Sequence, residues 1–119
     1  MTRPERRKMH EMGLAEGILA VVLDVAEGRK VRRIHLQVGK LQRMVPDSLE
    51  FSFQLVAEGT LAAEAVLEIE EVSAYFRCMP CGIESELNQP PFICPRCGAP
   101  DVEMVSGDQV LVDAVELEN

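Results

Sequence analysis

The chain has 119 residues, a net charge of −8 and only 4% aromatic residues, which suits one ordinary domain or two small ones with an aliphatic core. From Met44 onward, 15 acidic residues stand against only Arg77 and Arg96, and such a surface repels phosphate backbones, which disfavours nucleic-acid binding. No apolar run has the length of a membrane span, and the basic N-terminus lacks the apolar stretch of a signal peptide, so we expect a cytoplasmic protein.

The first predicted element is an amphipathic helix over residues 11–27. Before it, residues 1–8 are polar, include Pro4 and carry a charge of +3, which is typical of a flexible leader. Gly28 is a plausible C-cap for the helix. Apolar residues recur at helical spacing from residue 14 onward and predict the buried stripe: Leu14, Ile18, Val21, Val22 and Val25.

Met9, His10 and Glu11 open this helix and form the first candidate metal site. A lone His beside a Glu at a helix start is most often a polar cap. A neutral imidazole is also a suitable ligand for Ni(II), Cu(II) or Zn(II). If the chain began at Met9, the free amine of Met9, the amide nitrogen of His10 and its imidazole would be consecutive donors, as square-planar coordination requires.

A strand and a second helix follow. Ile34, Leu36 and Val38 alternate with polar residues and predict a strand over 31–38 with one buried face. Residues 29–43 contain six basic residues and no acid, a pattern more typical of a solvated face than of a docking surface for an acidic partner. Pro46 suits the first position of a helix that ends at Gly59.

Residues 66–77 and 110–117 predict two further strands in which the apolar alternation changes phase. A one-residue change of phase moves every side chain to the opposite face, so the slip at Glu70 and Glu71 indicates a bulge or a bend. The last strand shows a similar change. We therefore expect these two strands to be partners that cross together between two lobes, with the cysteine lobe on the hairpin they form.

The four cysteines form two Cys-x-x-Cys pairs, each followed by Gly: Cys78, Cys81, Cys94 and Cys97. Two such turns present four thiolates in a tetrahedron, which predicts a closed structural site for zinc, with iron as the less favoured metal. Two disulfides would need an oxidising compartment. A rubredoxin-like electron carrier requires iron. An enzyme is not expected, because a four-thiolate zinc has no open position and no catalytic triad or phosphate loop can be recognised.

Taken together, these motifs resemble the HypA family of nickel metallochaperones, which help mature [NiFe]-hydrogenase and, in some organisms, urease. The resemblance spans roughly residues 9–118. It implies an α+β fold: a small two-helix, three-stranded nickel-binding domain with an inserted zinc-ribbon-like domain that holds the four cysteines. The implied boundaries are 1–8 for the leader, 9–72 with 110–119 for the nickel domain and 73–109 for the zinc domain. The motifs that carry it are Met9–Glu11, Val38–Leu41, Val45–Leu49, Ala57–Leu61 and the two cysteine pairs.

In that family the Met-His-Glu residues bind nickel and the cysteines bind a structural zinc. The resemblance therefore implies Ni(II) as transient cargo at His10, with Glu11 as a further candidate ligand. Some family members add a carboxylate from the loop before the second helix, and the nearest one here is Asp47, next to Pro46. It also implies a HypB-like GTPase and a hydrogenase large subunit as partners, with urease accessory proteins as further candidates.

This sequence departs from the family in one respect, since eight residues precede Met9. The favoured interpretation is that Met9 is the true translation start, and only then can its amine bind nickel. The alternative function is a zinc-ribbon nucleic-acid or transcription-associated module. That alternative predicts basic side chains around the cysteines, where this chain has Arg77 and Arg96 against Glu84 and Glu86.

Overall fold

The computed structural model describes residues 3–119, with side chains from Glu11 onward. Its helices and strands are, in chain order, α1 (Arg3–Ala26), β1 (Val31–Gly39), α2 (Pro46–Ala57), β2 (Val66–Val72), β3 (Tyr75–Cys78), β4 (Glu84–Glu86), β5 (Val102–Ser106) and β6 (Val110–Leu117). Two helices and two three-stranded sheets confirm the predicted α+β class. Within the described part of the chain, no helix combines the length and the apolar character needed to cross a membrane.

The chain divides into two compact units. The first runs through Leu36 and includes Met44–Ile69 and Leu111–Asn119, and the second comprises Gln37–Arg43 and Glu70–Val110. The predicted domain boundaries, 9–72 with 110–119 and 73–109, stay a prediction. They do not anticipate that Gln37–Arg43 groups with the cysteine-containing segment.

Helix α1 is longer than the sequence pattern indicates. The predicted start at residue 11 is wrong, because the helix begins at Arg3; whether residues 1–8 are flexible stays a prediction. Arg, Glu and Lys are good helix formers, and Pro4 lies in the first turn, where its missing N–H is not needed. The buried face also differs from the predicted stripe, since Val21 and Val25 are 48% and 51% exposed. The apolar residues that α1 buries are Ala15, Ile18, Val22 and Ala26.

The core of the first unit lies between the two helices and the first sheet. From β1 it receives Ile34 and Leu36, both fully buried as predicted. Pro46 begins α2 as predicted, and Leu49 and Phe53 pack inward, while Phe51 is 60% exposed. The core is therefore mostly aliphatic, which agrees with the shortage of aromatic residues in the sequence.

The first sheet has the strand order β2-β1-β6, so β2 and β6 lie on opposite sides of β1. The prediction that these two strands pair with each other is therefore wrong. Both β2 and β6 are bonded to the central strand β1. Matching changes in the apolar alternation of two strands do not show which strand each of them pairs with. The bounds of β6 agree with the prediction, whereas the predicted strand 66–77 breaks after Val72 into β2 and β3, close to the expected bend.

Two basic residues at the start of β1, Lys30 and Arg33, are paired within the first unit. Lys30 contacts Glu64 at 3.0 Å, and Arg33 bonds Glu68 and lies 3.6 Å from Glu116. Each of these side chains is at least 44% exposed, so the pairs contribute little stability individually. In these pairs, the charges of Lys30 and Arg33 are neutralised by carboxylates of the same unit.

The second sheet has the order β4-β3-β5, and β3 pairs antiparallel with both neighbours. Its apolar interior is small. Phe76 is 7% exposed and stacks on Phe92 with ring centroids 4.9 Å apart, and Cys78 and Cys94 are each 2% exposed. Few large side chains are buried in this unit, so a bound metal would be an important additional source of folding free energy.

Two glycines allow three backbone segments of the second unit to meet. The amide of Gly39 donates to the carbonyl of Gln109 at 2.8 Å, and the amide of Leu41 donates to the carbonyl of Gly107 at 3.0 Å. A Cβ on Gly39 would lie 2.0 Å from the Gly107 oxygen, and a Cβ on Gly107 would lie 2.3 Å from the Cα of Ala74. Gly107 also has a φ of +114°, so both positions require glycine.

Candidate metal centres

Four cysteine sulfurs converge in the second unit. The Sγ atoms of Cys78 and Cys97 are 3.6 Å apart, those of Cys81 and Cys94 are 3.8 Å apart, and all four lie within 4.8 Å of one another. Four sulfurs held tetrahedrally at about 2.3 Å from a zinc ion are about 3.8 Å apart. All four cysteines are free thiols, so the predicted cluster is confirmed and its dimensions suit zinc.

The two cysteine turns have the same backbone structure. In the first turn, the amide of Cys78 donates to the carbonyl of Ile83 at 2.9 Å, and the amide of Gly82 donates to the carbonyl of Cys78 at 2.8 Å. The second turn has the same two bonds at the same distances: the amide of Cys94 donates to the carbonyl of Ala99, and the amide of Gly98 donates to the carbonyl of Cys94. Gly82 and Gly98 have φ values of +80° and +77°, which only glycine adopts readily. The glycine after each pair is therefore needed to close the turn.

The thiols of the cluster differ in acidity. Hydrogen bonds from the amides of Cys97 and Arg96 outweigh burial and lower the pKa of Cys94 to about 6. At Cys78 the amide of Cys81 favours the thiolate, but burial and contacts with the other three thiols raise its pKa to about 12. Four thiolates this close repel one another, and a divalent cation is the charge that can hold all of them deprotonated. Zinc would be held by Cys78, Cys81, Cys94 and Cys97, with no position left for a substrate.

The surroundings of the cluster are acidic. Arg77 donates to Glu84 at 2.6 Å, and its other strand neighbour in the sheet is Glu103. This basic side chain is therefore paired with one acidic residue and lies beside another. The paired charge argues against the nucleic-acid alternative.

A second site lies in the first unit, where α1 passes the start of α2. A cavity of about 240 Å³ is lined by Glu11, Asp47, Ser48, Phe51 and Ser52. Glu11 is only 3% exposed, and its Oε2 accepts a hydrogen bond from the Val45 amide at 3.2 Å. Val45 is the N-cap residue of α2, so this carboxylate lies at the positive end of the helix dipole.

The cavity brings together two of the residues that the sequence singled out, Glu11 and Asp47. Asp47 lies in the first turn of α2, and both carboxylates gain from the same helix N-terminus. Carboxylate and hydroxyl oxygens beside an imidazole would be a suitable ligand set for a divalent cation of intermediate softness. The side chains of Met9 and His10 lie outside the described residues, so their roles stay predictions.

Sequence reasoning missed Ser48, Ser52 and the Val45 amide as parts of this site. The helix-start signal at Pro46 places Ser48 in the first turn, which could have indicated the hydroxyl. Nothing in the sequence indicates that Glu11, 34 residues earlier than Val45, bonds the amide of this N-cap residue. Tertiary packing alone creates that contact.

The fold and the two sites define a class of protein: a small α+β metal-binding protein with a closed cysteine cluster and a separate oxygen-lined cavity at a helix start. A family model described as hydrogenase/urease nickel incorporation, metallochaperone HypA matches residues 9–117. The chain belongs to the HypA family. It is therefore a metallochaperone for nickel in hydrogenase maturation, with a four-cysteine zinc site, and not an enzyme.

Individual relatives agree with this assignment. The chain is 38% identical over 110 residues to the hydrogenase maturation factor HypA of Trichormus variabilis, covering 92% of this chain and 96% of that protein. It is 34% identical over 113 residues to the hydrogenase maturation factor HypA of Acidithiobacillus ferrooxidans, covering 92% and 100%. The solution structure of the Ni metallochaperone HypA from Helicobacter pylori has a TM-score of 0.68 at 19% identity over 90% of this chain and 96% of that one, which shows a shared fold.

Proposed function

We propose that Ni(II) binds where α1 meets the start of α2, with His10 as the principal ligand and the Glu11–Asp47 cavity as the source of oxygen ligands. One observation carries this proposal: the residue after His10 and the carboxylate of the α2 first turn line the same cavity. Few ligands on an open surface allow an ion to be released, whereas four thiolates in a closed cage hold theirs. The cavity is thus suited to a cargo ion and the cysteine cluster to a structural one.

The role of the Met9 amine depends on where the chain starts. In a helix that begins at Arg3, the backbone amides of Met9 and His10 take part in the helical hydrogen-bond ladder. Nickel bound to this form would rely on side chains. A chain starting at Met9 would offer the amine and amide nitrogens of a square-planar site. The two forms therefore differ in ligand set, with His10 common to both.

The partners follow from the family. A metallochaperone in hydrogenase maturation requires a recipient, and we assign a HypB-like GTPase and a hydrogenase large subunit to that role, with urease accessory proteins as further candidates. The four free thiols support action in the reducing cytoplasm, where zinc rather than disulfide formation occupies them.

The test is calorimetric titration of Ni(II) into the zinc-loaded protein and three variants. His10→Ala should abolish the nickel binding seen in the parent, and Asp47→Asn should weaken it. The matched control is His35→Ala, which removes the chain's other histidine, located on β1 beside Asp113. Zinc content and circular dichroism should be unchanged in His10→Ala. Undiminished nickel binding in His10→Ala, or an equal loss in His35→Ala, would reject the site.

A further inference from the structure

The strand β2 lies at an edge of the first sheet. Among the residues that the structure describes, it is bonded to β1 and to no other strand. An edge strand offers unpaired backbone N–H and C=O groups to which a further strand can bond. Val66, at its start, is 52% exposed, so this end of the edge is accessible.

A groove of about 550 Å³ runs beside this end of β2, between the strand and α2. Its floor is apolar and includes Phe53 and Leu67, which are 2% and 9% exposed, together with Ala63 and Ala65. The rim is acidic. Glu50 and Gln54 line it from α2, Glu58 lines it from the C-cap position of that helix, and Glu64 lines it from the loop before β2.

An apolar floor under an acidic rim suits the side chains of Lys and Arg. Both have an apolar stem that can lie on the floor and a cationic head that can reach a carboxylate. Glu64 is already bonded to Lys30 at 3.0 Å. Glu50 and Glu58 are both exposed, and no ion pair is found for either of them within residues 11–119. The carboxylates of Glu50 and Glu58 are therefore the ones available to an incoming cation.

The spacing of these two carboxylates matches an extended chain. Glu50 lies on α2 and Glu58 directly follows its last residue, Ala57, so the two positions are about 12 Å apart along the helix axis. Two side chains on the same face of a strand, four residues apart, are separated by about 13 Å. An added strand beside β2 can thus place one basic side chain against each carboxylate and a polar one between them against Gln54.

Charge also decides which occupant fits. A second copy that joined through this edge would bring a second set of Glu50 and Glu58 carboxylates to the same groove, and like charges brought together are destabilising. The acidic edge thus disfavours self-association while it attracts cationic segments. The occupant is therefore a basic segment from a different protein.

We infer that this edge groove binds an extended segment of a partner protein, which adds as a strand beside Val66–Ile69 and carries two Lys or Arg residues four positions apart. Main-chain hydrogen bonds to β2 would supply much of the affinity. The Glu50 and Glu58 carboxylates would supply the selection for basic residues at that spacing.

The probe is the blocked peptide acetyl-Ser-Lys-Val-Gln-Val-Lys-Ser-amide, added to the zinc-loaded full chain at low salt and followed by amide NMR shifts. Shifts should map to residues 50–58 and 63–69. An isomer with the same composition but with the lysines two positions apart should bind more weakly. The double substitution Glu50→Lys with Glu58→Lys should weaken binding roughly tenfold, and added salt should reduce that difference.

The matched control is Glu16→Lys with Asp24→Lys, two exposed acids that are also eight residues apart, on α1, and that change the net charge equally. It should change binding less than twofold. An equal loss in both double variants, no binding of either isomer, or shifts that map elsewhere would overturn the inference. If a peptide of residues 1–8 bound the groove more tightly than the two-lysine probe, the groove would be assigned to the basic segment of a second copy. That result would also overturn the inference.

Discussion

Substitution of Glu11 separates its structural role from a role as nickel ligand. The carboxylate is buried and accepts the Val45 amide at 3.2 Å, at the start of α2. A hydrogen bond to a charged group contributes about 1.5–3 kcal/mol, and an anion at a helix N-terminus adds about 0.3–1 kcal/mol. Glu11→Ala removes both and should lower the free energy of unfolding of the first unit by about 2–4 kcal/mol. Glu11→Gln keeps an acceptor oxygen and the shape of the side chain and should cost only about 1 kcal/mol.

The assay measures both properties on the same samples. Urea unfolding followed by helical circular dichroism gives the stability of each variant, and calorimetric titration gives nickel affinity. If Glu11 binds nickel through its carboxylate, Glu11→Gln should bind nickel clearly more weakly even though its free energy of unfolding is almost unchanged. If Glu11 only positions the start of α2, Glu11→Gln should retain both properties.

Glu16 supplies the matched control, because it is an exposed acid on the same helix. Glu16→Ala and Glu16→Gln should change stability by less than about 0.5 kcal/mol. Should Glu11→Ala prove no less stable than Glu16→Ala, the bond to Val45 contributes nothing and the structural argument for Glu11 fails.

Three further predictions concern the rest of the chain. Cys81→Ser should lose zinc and unfold the second unit while the helical signal largely persists; retained zinc would contradict a four-thiolate site. Gly39→Ala should destabilise the second unit by about 2 kcal/mol or more, because its Cβ would lie 2.0 Å from the Gly107 oxygen, whereas Gly13→Ala, in open space on α1, should not destabilise the protein. Protein starting at Met9 should bind Ni(II) more tightly than protein starting at Met1, and acetylation of the short form should remove the advantage; equal affinities would show that the amine is not a ligand.

Local signals in the sequence predicted the elements that depend on local chemistry. Pro46 marks the start of α2, alternation marks β1, and the two Cys-x-x-Cys-Gly turns mark the metal cluster; all three agree with the structure. Each depends on residues within a few positions of one another. For the same reason, the glycine after each cysteine pair indicates a tight turn, and the matching hydrogen bonds of Gly82 and Gly98 agree with it.

Features that depend on distant contacts could not be predicted in this way. The sequence could not show that β2 and β6 lie on opposite sides of β1, because an apolar phase identifies a buried face and not a neighbour. The apolar stripe of α1 predicts that Val21 is buried, but a broad stripe does not show which of its edges faces the interior, and Val21 is 48% exposed. The short strands β4 and β5 have too few residues to show a pattern.

The four-cysteine cluster and the proposed nickel site differ in ways that give one protein a use for both. Release of an ion to a partner requires incoming ligands to reach the metal before the outgoing ones leave, so the donor site needs an open side. A tetrahedral cage of four thiolates leaves no such side, and its metal instead compensates for the small apolar interior of the second unit. The cavity beside Glu11 has the opposite character: its oxygen donors are few, and Phe51 on its rim is 60% exposed. A partner that covers Phe51 would reach the edge of the proposed nickel site at the same time, which would couple docking to transfer of the ion.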